Sequence, residues 1–261
     1  MIYLTGANGM IGRRFIQLNK NLITTISYRN NISKNLFKSH DQSFLIHLGW
    51  SSTNRTSNIE QMERDVYNSE ILFKYYLEKN PNGKILFVST AGDMYQDKVN
   101  GKIITELTKP HPRTLYGKSK LKVEKVLENL KCKSIVFRVS NVWGGDIGKD
   151  RVNGLVDKLM SIVNTDDMLE IYANFETTVN LIHIDDLVNL ILKTIDVDLG
   201  NGHQLFLVGG QTVSIYDIIS KVSKMGSLNL KLNQKEKEKS FVNIQSSKSE
   251  RIFNWTKKNY L

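Results

Sequence analysis

The chain is poor in cysteine. Cys132 is the only one in 261 residues, which excludes an intrachain disulfide and any cysteine-rich metal site. It falls between a helical pattern and an apolar run, the place of a small residue at a core edge rather than of a reactive thiol. No uninterrupted apolar run approaches the ~20 residues that a membrane-spanning helix requires. The segment Met1 to Gly6 lacks a charged region followed by a long apolar stretch, so no signal peptide is read there and a cytoplasmic protein is expected. Internal repeats, low-complexity tracts and long flexible linkers are missing too. No cluster of His, Asp and Glu has metal-ligand spacing, and no metal is expected. Acid is the scarcer charge: 26 Asp and Glu face 36 Lys and Arg, a net charge of +10. The basic residues are scattered, and the one dense run, Lys235-Glu236-Lys237-Glu238-Lys239, alternates in sign as a solvated surface does. A nucleic-acid partner is therefore not expected, and a small polyanionic ligand suits this excess equally well.

What is present is ordinary globular material, with 40% hydrophobic and 24% charged residues. The length suffices for one large α/β domain, or for a main domain with a small lobe. Short apolar runs at Ile2–Thr5, Ile23–Tyr28, Phe44–Leu48, Ile85–Ser89, Ser134–Val139 and Leu205–Val208 predict buried strands. Helical patterns lie between and after them, at Ile11–Asn19, Ile59–Glu78, Tyr116–Leu130, Val152–Val163, Ile184–Thr194 and Ser214–Met225. This alternation predicts a doubly wound parallel sheet with helices on both faces.

The segment Thr5-Gly6-Ala7-Asn8-Gly9-Met10-Ile11-Gly12 follows the first strand and opens the first helix. Its three glycines permit a tight turn, a close backbone approach to a pyrophosphate, and close packing of helix on strand. Backbone N–H groups at the helix start would meet the phosphate charge. Gly6, Asn8, Gly9, Met10, Ile11 and Gly12 are therefore candidate dinucleotide-binding residues. The second strand ends Ile26-Ser27-Tyr28-Arg29, without the carboxylate that would bind the adenosine ribose of NAD. Arg29 suits a 2′-phosphate instead, because its planar fork matches phosphate oxygens. NADP is expected over NAD.

Tyr116-Gly117-Lys118-Ser119-Lys120 opens a helical pattern and puts Tyr116 and Lys120 on one face. A tyrosine with its ordinary pKa near ~10 is a poor base at neutral pH. An adjacent ammonium, aided by an oxidised nicotinamide, favours the phenolate, and the phenol can then exchange a hydroxyl proton while hydride moves at the same carbon. Upstream, the strand end Phe87-Val88-Ser89-Thr90-Ala91-Gly92-Asp93-Met94-Tyr95 sets a hydroxyl where open α/β sheets bind ligands. Thr90 is the candidate to hydrogen-bond the reacting oxygen, with Ser89 as the fallback.

Together these pieces resemble the extended short-chain dehydrogenase/reductase superfamily, and within it the NAD-dependent epimerase/dehydratase family of nucleotide-sugar enzymes. The resemblance runs from residue 2 to about residue 256. His47-Leu48-Gly49-Trp50 resembles the family's "HLAA" turn against the cofactor. Ser89 to Tyr95 resembles "SSGGTVY", and Phe137-Arg138-Val139-Ser140-Asn141-Val142-Trp143-Gly144 resembles "LRxSNxYG". His183-Ile184-Asp185-Asp186-Leu187 resembles "IHVDDL", and Lys248 with Phe253-Asn254-Trp255 resembles the closing "sK…LGW". The resemblance implies a Rossmann-type domain over residues 1–145, with residues 181–210 returning to it, and a mainly substrate-binding lobe over 146–261. It implies Thr90, Tyr116 and Lys120 as catalytic residues. Leu48, Gly49, Trp50, Ser89, Tyr116 and Lys120 would join the glycine loop and Arg29 in holding the cofactor, and Ser51, Ala91 and Asn141 would face the substrate. In many relatives helices like Ile59–Glu78 and Tyr116–Leu130 form a dimer interface, so a homodimer is an expectation.

Two departures stand out. Only about fifteen residues separate Arg29 from the strand at Phe44, so the usual third strand is expected to be short or absent. Val179 stands where relatives carry an arginine that grips the nucleotide diphosphate. His183 reads as a helix-start residue with Asp185 or Asp186 as the N-cap, and Tyr75, Tyr76 and Trp50 read as packing residues. The leading expectation is an NADPH-dependent reductase of a 4-keto-hexose nucleotide. A nucleotide-sugar 4-epimerase with tightly bound NAD is the alternative. A non-catalytic dinucleotide sensor or RNA-binding relative is a third possibility of another class, against which the Thr90, Tyr116 and Lys120 trio counts.

Overall fold

Alternation along the strands decides the architecture. The structure, a computed structural model, describes residues 1–19, 21–27, 32–40, 42–51, 58–95, 103–145, 154–235 and 242–258. Six strands form one sheet: β1 (Ile2–Thr5), β2 (Ile23–Ile26), β3 (Phe44–His47), β4 (Lys84–Thr90), β6 (Lys133–Val139) and β10 (His203–Val208). Their order is β10-β6-β4-β3-β1-β2 and every pairing is parallel. Successive side chains leave a strand on opposite faces. Ile2, Leu4, Phe44, Ile46, Leu86, Val88, Ile135 and Phe137 accordingly enter one apolar layer. Their sequence neighbours Tyr3, Leu45, Ile85, Phe87 and Val136 enter another.

Helices α1 (Met10–Leu18) and α5 (Ile184–Asp196) close the first layer through Phe15, Leu187, Leu190 and Ile191. Helices α2 (Ile59–Lys79) and α3 (Leu115–Asn129) close the second through Leu72, Phe73, Tyr76, Val123 and Leu127. This is the doubly wound, Rossmann-type sheet that the sequence predicts, with each predicted sheet strand present.

Among the described residues no strand lies outside β2. The connection from β2 to β3 instead holds a short 3-10 turn at Lys34–Leu36 and a buried aromatic anchor. Phe37 packs edge-on against Tyr3 at 5.2 Å and Tyr76 at 5.5 Å between ring centroids. Tyr76 is buried, so the packing role expected of it holds.

Several short elements escape the sequence patterns. Strands β7 (Asn141–Trp143), β9 (Thr178–His183) and β11 (Gln211–Ser214) form a small sheet in the order β11-β9-β7. Strands β8 (Met168–Ala173) and β12 (Asn229–Gln234) pair with each other, as do the two-residue β5 (Ile103–Ile104) and β13 (Asn243–Ile244). These strands are brief, and β7, β9, β11, β12 and β13 carry Asn, Gln or Thr among their few residues, so no long apolar run marks them. With α4 (Leu155–Ser161) and α6 (Ile215–Ser223) they surround a separate apolar cluster that includes Trp143, Leu159, Ile171, Leu181 and Ile218. A last helix, α7 (Ser247–Ile252), packs on β10. No helix of the described residues is long and apolar enough to cross a membrane.

Candidate active site

The glycine loop is shaped by contacts that exclude side chains. Gly6 has φ +72°, in the left-handed region, and a Cβ there would lie 2.6 Å from the Gly49 nitrogen and 2.7 Å from the Leu48 carbonyl carbon. A Cβ on Gly12 would lie 2.1 Å from the Gly6 oxygen. Leu48 and Gly49 thus abut the loop. Helix α1 begins after Gly9 with no side-chain cap and no acid in its first turn. Its first N–H groups and its positive dipole end are left for an anion, the arrangement that binds a pyrophosphate. Asn8 is exposed, Met10 and Ile11 are half-buried, and Met10 lies against Gly145 across the site.

A buried polar chain fixes this end of the sheet. The Gly49 N–H donates to Thr5 Oγ1 at 3.0 Å, Thr5 Oγ1 meets His47 Nδ1 at 2.7 Å, and His47 Nε2 meets Ser69 Oγ at 3.0 Å. Burial pushes the His47 pKa down to about 3, so the ring is neutral at pH 7. Neutral imidazole carries one N–H and one acceptor, which is what a chain through both ring nitrogens needs.

Tyr116 and Lys120 sit on the first turns of α3, which Thr114 caps by accepting from the Gly117 N–H at 3.0 Å. The Lys120 Nζ donates to the Val88 carbonyl at 3.0 Å and lies 4.0 Å above the Trp50 ring, 4.7 Å from Phe87 and 5.7 Å from Tyr116. Burial lowers the Lys120 pKa to about 7, against the pull of the Asp65 and Glu124 carboxylates. The Tyr116 phenol is raised well above the ordinary tyrosine range, first by burial and then by the charges of Asp93 and Asp65.

Helix α3 is locked in place one turn further on. Glu124 pairs with Arg138 of β6 at 2.6 Å, both side chains being almost fully buried. Ser89 Oγ donates to Glu124 Oε1 at 2.5 Å and Arg138 donates to Tyr95 Oη at 2.6 Å. Ser89 therefore turns its hydroxyl toward this ion pair, while Thr90, the next residue, turns its own toward Asp93.

The other expected residues have definite places. Ser51 Oγ donates to Asp65 at 2.6 Å. Ala91 is 1% exposed and enters an apolar cluster with Met94 and Leu207. Asn141 is exposed on β7, donates to the Asn180 carbonyl at 3.2 Å, and lies opposite Gly92. Val179 is half-buried. Its neighbour Asn180 binds Gly210 and Thr212 rather than facing outward. Arg29 lies outside the described residues. The N-cap of α5 is His183, whose Nδ1 accepts from the Asp185 N–H. This corrects the expectation of an aspartate there: Asp185 instead pairs with Arg14 of α1, and Asp186 accepts from the Lys258 N–H.

Asp65, Asp93, Thr114 and Glu124 are site residues that sequence reasoning missed. Thr114, a hydroxyl just before a helical pattern, carried a capping signal; the carboxylates carried none. Among the described residues no group of three or more His, Cys, Asp or Glu could hold a metal ion. A cavity of about 660 Å³ lies at the opposite edge of the sheet beside Met1, Phe44, Lys84 and Lys133. That is the N-terminal edge of the strands, whereas open α/β sheets bind ligands at the C-terminal edge.

Known proteins share sequence and fold with this chain. The chain is 28% identical over 180 residues to a dTDP-4-dehydro-6-deoxyglucose reductase of Escherichia coli, a match covering 66% of this chain and 52% of that protein. The match thus spans about half the length of the curated relative. In fold it is similar to the UDP-glucuronic acid 4-epimerase of Bacillus cereus in complex with UDP-glucuronic acid and NAD, with a TM-score of 0.81, 18% identity, and coverage of 99% and 94% of the two chains. It is similar also to RMD from Pseudomonas aeruginosa complexed with NADPH, with a TM-score of 0.78, 17% identity, and coverage of 98% and 93%. A family model matches residues 2–209, and with its glycine loop, parallel sheet and Tyr116/Lys120 helix the chain belongs to the NAD dependent epimerase/dehydratase family.

Proposed function

We propose that the protein is an NADPH-dependent reductase of a 4-keto-hexose nucleotide. The observation that carries this reading is the surroundings of Tyr116. Its phenol stands on α3 one turn before Lys120, with the Lys120 Nζ 5.7 Å from its ring, and, protonated at neutral pH as a phenol is, it can give the proton that reduction of a carbonyl requires. The E. coli relative bears a reductase name of that substrate class.

The cofactor fits the residues present. The glycine loop is a cradle that a Cβ would fill, and the uncapped start of α1 awaits an anion. Gly6, Gly9 and Gly12 would hold the pyrophosphate, with Leu48, Gly49, Trp50 and Lys120 beside the rest of the dinucleotide and Arg29 toward a 2′-phosphate. When bound, the dinucleotide supplies hydride for the carbonyl carbon. Tyr116 gives its phenolic proton to the carbonyl oxygen, which becomes the alcohol, and the phenolate regains a proton from solvent. Thr90 turns its hydroxyl from Asp93 to the same oxygen. Residues 1–145 with 181–210 hold the dinucleotide in this reading. Residues 146–261 otherwise form the substrate lobe, with Asn141 and Ser51 at its border.

Tyr116→Phe removes the proton donor and leaves the cradle intact. Turnover of a dTDP-4-keto-6-deoxyhexose with NADPH should fall by about 10²–10⁴-fold, while NADPH binding, followed by fluorescence, stays within twofold. Unchanged turnover would refute the role of Tyr116. Stoichiometric NAD released on denaturing the purified protein would replace the reductase with the 4-epimerase, which recycles its cofactor in place.

A further inference from the structure

Trp50 stands between the glycine loop and the helix of Tyr116 and Lys120. On the loop side its chain neighbours are fixed: Thr5 holds the Gly49 N–H, and Leu48 and Gly49 abut Gly6. On the helix side its ring lies 4.0 Å from the Lys120 Nζ, tilted against Phe87 at 6.1 Å and edge-on to Tyr116 at 6.3 Å. Phe87, 4.7 Å from the Nζ, and Tyr116, at 5.7 Å, complete a cage of three rings. Aromatic faces attract a cation, tryptophan most strongly, and more so where water is kept out. Lys120 is 3% exposed. Among the described residues its ammonium makes one hydrogen bond, to the Val88 carbonyl, of the three it can donate. Trp50 has an unmet group of its own. Its Nε1 is buried with no hydrogen-bond partner among the described residues, and a donor taken out of water unpaired bears its full desolvation penalty.

We propose that Trp50 is a gate on Lys120: closed, its ring pins the ammonium to the Val88 carbonyl, and the ring swings aside when a dinucleotide enters the cradle. This deepens the reading of the glycine loop and Lys120 as one dinucleotide site, and rests on it. Of the three rings, Trp50 is the one placed to move. Phe87 belongs to the central strand β4 and has no exposed surface, and Tyr116 is carried by α3, which the Glu124–Arg138 pair anchors. Trp50 lies beyond the end of β3 and is only half-buried. A ligand of the cradle therefore reaches the ammonium past that ring. The two unmet donors favour the same movement, since a dinucleotide is rich in acceptor oxygens on its phosphates and riboses. Opening exchanges a ring–cation contact for hydrogen bonds from the indole and from the ammonium. The charged and titratable groups facing Lys120 are Asp65 from α2, Glu124 and Tyr116 from α3, and the neutral His47 from β3.

Two measurements read the contact and its opening, and neither uses turnover. NADP⁺, which does not absorb at indole emission wavelengths, is titrated into the protein while binding is followed by calorimetry and by tryptophan fluorescence. The parent emission should change and saturate at the calorimetric midpoint. In Trp50→Phe the heat should remain and the change disappear, because Trp143 and Trp255, buried elsewhere, are common to both proteins. The closed contact is read without dinucleotide, by acetylating lysines across a range of pH and following the Lys120 peptide by mass spectrometry. In Trp50→Ala water reaches the ammonium, so the limiting rate at Lys120 should rise severalfold. Its midpoint should move up from about 7 by about one pH unit or more. Trp50→Phe keeps a ring over the ammonium and should stay within about half a unit of the parent. Heat with no change in the parent emission, or a change that persists in Trp50→Phe, overturns the gate while leaving the dinucleotide site standing. A Lys120 profile in Trp50→Ala that matches the parent overturns it too. NADP⁺ that gives no heat would sink the dinucleotide site and the gate together.

Discussion

Glu124→Gln is the sharpest probe of how α3, the helix of Tyr116 and Lys120, is held. The Glu124 carboxylate receives Arg138 through both Nε and the second guanidinium nitrogen at 2.6–3.2 Å, and Ser89 Oγ at 2.5 Å. Donors therefore reach both carboxylate oxygens. An amide has one acceptor and one donor end, so in the variant an N–H must face a donor while the Arg138 charge loses its partner. Both side chains are at most 6% exposed, so solvent cannot make good the loss. Breaking a buried pair from one side costs about 3–5 kcal/mol. At ~2–4 °C per kcal/mol for a chain of this size class, the melting temperature should drop by about 6–20 °C. Urea unfolding followed by far-UV circular dichroism measures the free energy, and an unchanged m-value would show that the unfolded state is not the cause. Glu124→Leu combined with Arg138→Met removes the pair from both sides and should recover at least half of the loss, since buried ion pairs are often matched by apolar side chains of like volume. A cost below about 1 kcal/mol for Glu124→Gln, small for a buried charged hydrogen bond, would refute the assignment of this ion pair as the anchor of α3. So would a double variant no more stable than the single one.

Gly12→Ala puts a methyl group 2.1 Å from the Gly6 oxygen. It should cost about 1–3 kcal/mol through overpacking and weaken NADPH binding at least tenfold by fluorescence titration; tight binding in the variant would displace the pyrophosphate from this loop. His47 gives a pH signature. Its folded pKa, about 3, lies below the unfolded value of 6.5, so the unfolded state binds the extra proton as pH falls between them. The stability it confers is full above pH 6.5 and is lost toward pH 3 at up to about 1.4 kcal/mol per pH unit. His47→Gln should unfold with a shallower pH dependence over pH 6.5–4.5 than the parent. Equal slopes would show that His47 is not buried as a neutral ring.

Features set by near neighbours were legible in the sequence. The glycine loop is a run of adjacent residues whose spacing states its own geometry, and Tyr116 and Lys120 share a face because a helix turns every 3.6 residues. The sheet strands were readable because both faces are covered, leaving apolar runs, and the six of them in alternation with helices already implied a doubly wound sheet. Short strands such as β9 and β11 were not, since Thr, Asn and Gln there find partners only across the small sheet. The α5 N-cap was misplaced for a related reason. Asp185 and Asp186 are better cap formers in general than His183, but they are drawn to Arg14 and to the Lys258 N–H, groups distant in the chain.

The sequence by itself determined the sheet, the glycine turn and the shared helix face of Tyr116 and Lys120, because each rests on periodicity or on contiguous residues. Only the tertiary structure decided the electrostatic state of that pair. It brings Asp65 from α2 and Asp93 from the end of β4 to Tyr116 and turns Lys120 to a backbone carbonyl beneath Trp50. It also removes the water that would have screened these charges. A side chain's acidity depends on its burial and on which charges stand within a few ångströms, and neither is recorded by distance along the chain.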